Sequence, residues 1–385
     1  MGSRRRFIKQ VVAGCGAAAL GKRAVDQFVL GDGNRPLEMG FRQDAAAPLD
    51  AYARPAAHAV ARGGLVQCTL CPHLCVLGED DRGYCRVRAV KDGALHTLGY
   101  GNLCSVALDP IEKKPLYHWL PRTPILSVAT GGCNLRCLNC QNWEISQSRP
   151  SDVVQHTLFP EDLVALCAGR DVNALAFTYT EPLVTWEYVR DTASLARDRG
   201  IRSVLVTAGY VNEQPLRELC RVIDAVTLDV KAFRESFYRD VSGARLAPVL
   251  RTLEVLREEG VWVEVSFLMV PTLSDDIAEI GRFGRWVAAH LGPGTPVHIL
   301  RFRPAHRLEH LPPTPVAAME RARAAALDAG LLFVYLGNVP GHDANHTRCP
   351  RDGRLLIERR GFEVTSSALV DGRCPCGEVV PGVFS

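Results

Sequence analysis

The chain has 385 residues, 47% of them apolar, and its 45 basic and 42 acidic residues leave a net charge of +3. That length is ample for one large core with satellites. The near balance of charge gives no electrostatic reason for a nucleic-acid partner. Fourteen cysteines exceed ordinary packing use. Most fall in three groups, at 68–85, 133–140 and 349–376, and such groups in a large chain read as metal sites more readily than as disulfides. Cys104, Cys167 and Cys220 stand singly in apolar or helical surroundings and read as core thiols.

Residues 1–45 read as a leader and linker. Ser3-Arg4-Arg5-Arg6-Phe7-Ile8-Lys9 matches the twin-arginine export consensus, and the apolar stretch from Val11 to Leu20 is too short to span a bilayer. Delivery of a folded, metal-loaded protein to the periplasmic side is therefore expected. A basic start on a cytoplasmic protein is the competing reading. Residues 46–120 form an N-terminal four-cysteine module. Cys68-Thr-Leu-Cys71-Pro-His-Leu-Cys75, followed by Cys85, places four thiolates within a short span. They suit one tetrahedral metal or a second cluster, and His73 is either a substitute ligand or part of the loop.

Residues 121–338 form the core. Apolar runs at Ile125–Ala129, Ala174–Tyr179, Ser203–Thr207, Ala225–Val230, Val261–Met269 and Val297–Phe302 read as strands, with Leu331–Leu336 as a seventh. Helical spacing occupies Glu161–Gly169, Leu183–Gly200, Pro215–Val222, Leu246–Gly260 and Asp276–His290. This alternation predicts a parallel sheet with helices outside, either open or curled into a barrel. Directly after the first strand comes Gly131-Gly132-Cys133-Asn-Leu-Arg-Cys137-Leu-Asn-Cys140-Gln-Asn-Trp143. Three thiolates in a Cys-x3-Cys-x2-Cys loop can hold a small iron–sulfur cluster and leave one iron free for another ligand. A zinc knuckle is the alternative, although zinc sites usually pair their cysteines.

Polar residues fall at the other strand ends: Glu181 in Thr178-Tyr179-Thr180-Glu181-Pro182, Thr207 in Thr207-Ala208-Gly209-Tyr210, Asp229 and Lys231 in Asp229-Val230-Lys231, and His298 and Arg301 in Val297-His298-Ile-Leu-Arg301. Asp229 and Lys231, two apart on a strand, share a face; they form a reactive pair or a structural ion pair. Glu181 is a ligand group or a helix N-terminal charge. His298 is a ligand group or a core histidine. Residues 339–385 carry Cys349-Pro-Arg-Asp352 and Cys374-Pro-Cys376-Gly377, the pattern of a degenerate zinc ribbon. Cys349, Cys374 and Cys376 can bind zinc with Asp352, His342 or His346 as fourth ligand, or the tail is a metal-free remnant.

The cysteine loop resembles that of the radical S-adenosylmethionine (SAM) enzymes. The resemblance implies a partial (β/α)6 barrel of the TIM type. It also implies a [4Fe–4S] cluster on Cys133, Cys137 and Cys140, with the amino and carboxylate groups of SAM on the open iron. One electron then cleaves SAM to methionine and a 5′-deoxyadenosyl radical. Asn139 stands where the family usually has an aromatic residue. Glu181 matches the carboxylate of a Gly-Gly-Glu-Pro-like segment that contacts the SAM amino group. By the same resemblance Asp229 and Lys231 lie in the active site, Thr207 ends a SAM-facing strand, and His298 and Arg301 reach SAM.

Leu108-Asp109-Pro110-Ile111-Glu112-Lys113-Lys114-Pro115-Leu116-Tyr117-His118, Cys140-Gln-Asn-Trp143, Gly337-Asn-Val-Pro-Gly-His342 and the four-cysteine module narrow this further. From about residue 65 onward the chain is similar to the AmmeMemoRadiSam-system radical SAM enzymes, relatives of the pyruvate formate-lyase activating enzymes. That group is named for genomic association with Memo-like and AMMECR1-like proteins. The expected activity is hydrogen abstraction from a protein or small molecule, supported by a low-potential electron donor. The alternatives are a glycyl-radical-enzyme activase and a noncatalytic iron–sulfur electron-transfer protein. Glu181 and the Asp229–Lys231 pair argue against the last, because an electron carrier needs no SAM-facing charges.

Overall fold

The computed structural model describes residues 51–153 and 155–385. The expected export leader lies outside the described residues. The central sheet is built from β1 (Asn102–Pro110), β2 (Pro124–Thr130), β3 (Ala174–Phe177), β4 (Arg202–Thr207), β5 (Ala225–Val230), β6 (Trp262–Met269), β7 (Val297–Arg301) and β8 (Val334–Gly337), with the short strand His156–Thr157 on the outer edge of β1. Strands β2 to β8 lie side by side in chain order and are parallel throughout. Six helices make the crossovers: α1 (Pro160–Ala168), α2 (Trp186–Arg197), α3 (Glu213–Cys220), α4 (Leu246–Glu258), α5 (Ile277–His290) and α6 (Val316–Asp328). The sheet's two edges do not pair with each other, so this is the open (β/α)6 barrel expected, with β8 as an additional strand.

The sequence explains the elements. Strand runs such as Ala225-Val226-Thr227-Leu228 are almost fully buried because a parallel sheet is covered on both faces. Helix α5 starts where the Asp276 carboxylate accepts the amide of Ala278 at 2.9 Å. Helix α6 was not anticipated from the sequence. Its inward residues are Met319, Ala322 and Ala326, and alanine marks a helix face weakly. Those small residues let α5 approach closely: a Cβ added at Gly284 would sit 3.3 Å from the Ala326 Cα.

Strand β1 was also unforeseen. It lies inside the segment assigned to the N-terminal module but joins the large sheet, antiparallel to β2. The module proper carries two small antiparallel sheets, one of Ala59–Arg62, Leu65–Cys68 and Val76–Leu77, the other of Arg54–Pro55, Arg88–Lys91 and Ala94–Thr97. Arg88 fastens the second sheet to α2 by a buried two-pronged bond to Glu187, at 3.0 and 3.2 Å. The tail forms a third small sheet, Thr347–Arg348, Leu355–Arg360 and Glu363–Ser367. It closes the N-terminal end of the barrel. There Val383 exchanges backbone bonds with His118 and Leu120, and Arg359 donates to the Tyr117 carbonyl at 2.8 Å.

Candidate active site

The cysteine loop leaves the C-terminal end of β2, where barrel enzymes build their sites. Gly131 and Gly132 open it for a steric reason. Gly132 has φ +98°, and a Cβ on it would meet the Cys85 carbonyl at 2.8 Å; one on Gly131 would meet the Arg149 carbonyl at 3.1 Å. The loop's shape is held from outside. Arg136 N donates to the Ser242 carbonyl at 2.8 Å and Leu138 N to that of Val241 at 3.0 Å. Val241 and Ser242 belong to a π-helical turn, Tyr238–Ser242, that follows β5. Such turns recur at functional sites. Asn142 donates to the Tyr179 carbonyl at 2.8 Å, tying the far end of the loop to the end of β3.

Each thiol has a polar neighbour. Leu135 N donates to Cys133 Sγ at 3.3 Å, and Ser146 Oγ lies 3.2 Å from Cys140 Sγ. Burial pushes the Cys133 and Cys137 thiols above their ordinary range, and Lys231 opposes this at Cys137. Such donors and a nearby cation suit sulfurs that carry charge in a cluster. The three thiols are also spread. Among the described residues, the group whose ligand atoms all fall within 4.8 Å of one another is Cys349, Asp352, Cys374 and Cys376. The loop therefore fits a cluster with separate irons better than a single ion.

Lys231 and Asp229 end β5 beside this loop. Lys231 Nζ donates to Asp229 Oδ2 at 2.9 Å, and Ser266 Oγ binds the other carboxylate oxygen. Burial disfavours the Lys231 ammonium, but Asp229 and Cys137 outweigh it and raise its pKa. Lys231 N bonds the Tyr238 hydroxyl at 3.1 Å, so the π-helical turn supports both the pair and the loop. No motif marks Ser266 or Ser242, and Asn142 stands in the quoted Cys140-Gln-Asn-Trp143 run without a role of its own there.

Glu181 is fully buried at the end of β3. Its carboxylate accepts from Thr207 Oγ1 at 2.6 Å, Ala208 N at 2.9 Å and Leu183 N at 3.2 Å. Burial pushes its carboxyl up, while these bonds pull it down. Glu181 takes the capping place that its sequence position offered: it caps the turn at Pro182 and locks Thr207 and the end of β4. Tyr179 sits at φ +66°, a backbone state that glycine adopts freely. The strain is offset by its side chain, whose hydroxyl donates to Asp109 while its ring lies 4.4 Å from Lys114 Nζ.

Of the two expected ligand groups on β7, one lies away from the strand ends. His298 occupies a lower layer of the barrel, where Nε2 donates to the buried Glu264 at 2.7 Å and the ring stacks on Tyr335. It takes the core position that its sequence context left open. Arg301 does end β7, but its Nε donates to the Thr314 carbonyl at 2.8 Å.

In the tail, Asp352 joins the three cysteines. Cys349 Sγ and Cys376 Sγ are 3.6 Å apart, and Cys374 Sγ is 3.9 Å from either Asp352 oxygen. Zinc–sulfur bonds of ~2.3 Å in a tetrahedron place sulfurs about 3.8 Å apart. The two histidines offered as fourth ligands are engaged otherwise. His342 Nδ1 accepts from Ala344 N at 3.0 Å, and His346 Nδ1 accepts from Arg359 N at 3.0 Å.

Residues 127–284 match the Radical SAM superfamily. The chain is 42% identical over 318 residues to an uncharacterized protein of Methanocaldococcus jannaschii, covering 82% of this chain and 95% of that one. The chain carries a Radical SAM domain and belongs to one family with that archaeal protein. Its Radical SAM domain is homologous to that of glycyl-radical-enzyme activating enzymes. The pyruvate formate-lyase 1-activating enzyme of Escherichia coli is 26% identical over 159 residues, covering 40% of this chain and 65% of that one. The benzylsuccinate synthase activating enzyme of Thauera aromatica is 25% identical over 123 residues, covering 32% of this chain and 37% of that one. Among solved structures, a radical SAM methyltransferase from Sphaerobacter thermophilus superposes with a TM-score of 0.46 at 12% identity, over 74% of this chain and 76% of that one.

Proposed function

We propose that this protein is a radical SAM enzyme of the AmmeMemoRadiSam type that abstracts hydrogen from a substrate carbon. The observation that carries the reading is the meeting of the three-cysteine loop with the Asp229–Lys231 pair at the C-terminal strand ends. Cys133, Cys137 and Cys140 would hold a [4Fe–4S] cluster and leave one iron for the amino and carboxylate groups of SAM. When bound, the cluster supplies the single electron that cleaves SAM to methionine and a 5′-deoxyadenosyl radical. The chain's own residues supply position and charge. Glu181 fixes the ends of β3 and β4 that border SAM. Lys231, kept as an ammonium by Asp229, places positive charge beside Cys137. Asn142 and the π-helical turn keep the loop from collapsing.

The homology to activases favours a protein substrate, with a glycine of a partner polypeptide as the second reading; Memo-like and AMMECR1-like proteins are candidate partners. The tail quartet suits one zinc ion. Export of the folded, loaded protein remains the reading of the leader, and among the described residues no helix is long and apolar enough to cross a membrane.

Anaerobic reconstitution, reduction with dithionite and quantification of 5′-deoxyadenosine test the activity. Wild type should form it, and the Cys133→Ala/Cys137→Ala/Cys140→Ala triple variant should not. Formation by the triple variant would overturn the assignment.

A further inference from the structure

We infer that Cys68, Cys71, Cys75 and Cys85 hold a second iron–sulfur cluster, and that this cluster is the electron entry to the Cys133–Cys140 loop. The inference rests on the reading of that loop as the SAM cluster site.

The four thiols come from two segments that the fold joins. Cys68 N donates to the Cys75 carbonyl at 2.9 Å and closes the first segment. Tyr84 N donates to Cys75 Sγ at 3.3 Å and brings up the second. Gly83 lies between two of the sulfurs: a Cβ there would touch Cys75 Sγ at 3.7 Å and Cys85 Sγ at 3.8 Å. A side chain at that position would occupy the cradle. Spacing then selects the occupant. The tail quartet draws its ligand atoms within 4.8 Å, as one ion requires, while among the described residues no three of these thiols do. Thiolates on separate irons of a cluster stand farther apart than those sharing one tetrahedral ion.

The module is seated directly on the SAM loop. The Cys85 carbonyl abuts Gly132, next to Cys133. His73 Nε2 lies 2.8 Å from the Asn134 carbonyl, and its ring stacks on Tyr84 at 4.1 Å. Arg136 donates to the Cys133 carbonyl at 2.9 Å and to the Tyr84 carbonyl, with its guanidinium 4.1 Å from the centre of the Tyr84 ring. His73, Tyr84 and Arg136 therefore bridge the two thiol sets. Leu74 and Val76 flank Cys75 at 43% and 42% exposure, so a donor can approach there. One electron passes from a low-potential one-electron donor protein, which is oxidised, through the module to the loop. No covalent bond is made or broken in the module.

The test uses the full chain loaded anaerobically, with iron and zinc analysis and electron paramagnetic resonance (EPR). Wild type should hold about eight irons, as two cubes. The Cys133→Ala/Cys137→Ala/Cys140→Ala variant should keep about four, with a reduced signal indifferent to SAM. Cys68→Ser and, separately, Cys85→Ser should lose those four and keep the SAM-responsive signal, which also reports that they fold. Reduction of the SAM-responsive cluster by reduced flavodoxin should slow at least ten-fold in these two variants, with dithionite reduction unchanged. If the triple variant holds no iron, or carries a zinc ion that Cys68→Ser removes, the cluster assignment is overturned. Equal flavodoxin rates in wild type and both serine variants would overturn the relay. Eight irons in wild type without any 5′-deoxyadenosine would instead fault the reading of the loop and leave the second cluster standing.

Discussion

A carboxylate with three internal donors can still govern a cofactor through the groups it holds. Glu181→Ala should leave the iron content unchanged and weaken SAM binding about 10- to 150-fold, from a loss of roughly 1.5–3 kcal/mol. Equilibrium binding to the loaded protein checks this, and unaltered affinity would assign Glu181 to structure alone. His118 gives a second test, far from the site. Burial lowers its pKa to about 4 from an ordinary 6.5. Its Nδ1 donates to the Pro381 carbonyl at 2.7 Å, but desolvation outweighs that bond and keeps the folded ring neutral above this pKa. Between pH 6.5 and 4 the unfolded chain binds a proton that the folded chain refuses. Stability present above pH 6.5 is thus lost as pH falls through that window, by at most about 3 kcal/mol. Urea unfolding of His118→Gln should show a shallower decline than wild type over that range; parallel curves would contradict it. At this scale the sequence was legible where chemistry repeats a pattern. Spacing marked the cysteines and Asp229–Lys231. It could not mark Ser266, nor give Asn142 its partner Tyr179, because those contacts come from strands and loops brought together only by the fold. Nor could it decide His298, since the Glu264 that binds it lies 34 residues away.

At the scale of elements, a buried ion pair anchors the joint between the N-terminal module and α2. Arg88 is 1% exposed and has Glu187 as its carboxylate partner. Glu187→Ala leaves that guanidinium buried without its counter-charge, and the loss should be about 3–5 kcal/mol. A urea midpoint unchanged from wild type would show the module to be held by other contacts. The predicted strands and five of the helices fall within a few residues of those observed, because parallel strands buried on both faces read as continuous apolar runs. Helix α6 escaped since its buried face is largely alanine. Strand β1 escaped since Asn102, Ser105 and Asp109 break up its apolar run; Asp109 pairs with Lys113 and Lys114 just beyond the strand, at 2.8 and 2.6 Å.

Across the whole molecule, three cysteine groups take three positions on one barrel. The first rests on the SAM loop, the second forms it at the C-terminal strand ends, and the third seals the opposite end. The tail quartet packs with Tyr117, Phe333 and Tyr335, so it stabilises the barrel from the end remote from chemistry. On the proposed reading, SAM binds at the cluster held by Cys133, Cys137 and Cys140. It is tested most directly by the EPR spectrum of the dithionite-reduced protein with and without SAM. SAM should shift the signal in wild type and in Cys68→Ser, and no SAM-dependent shift should survive in Cys137→Ala. A wild-type spectrum indifferent to SAM, or a shift that persists in Cys137→Ala, would contradict the claim.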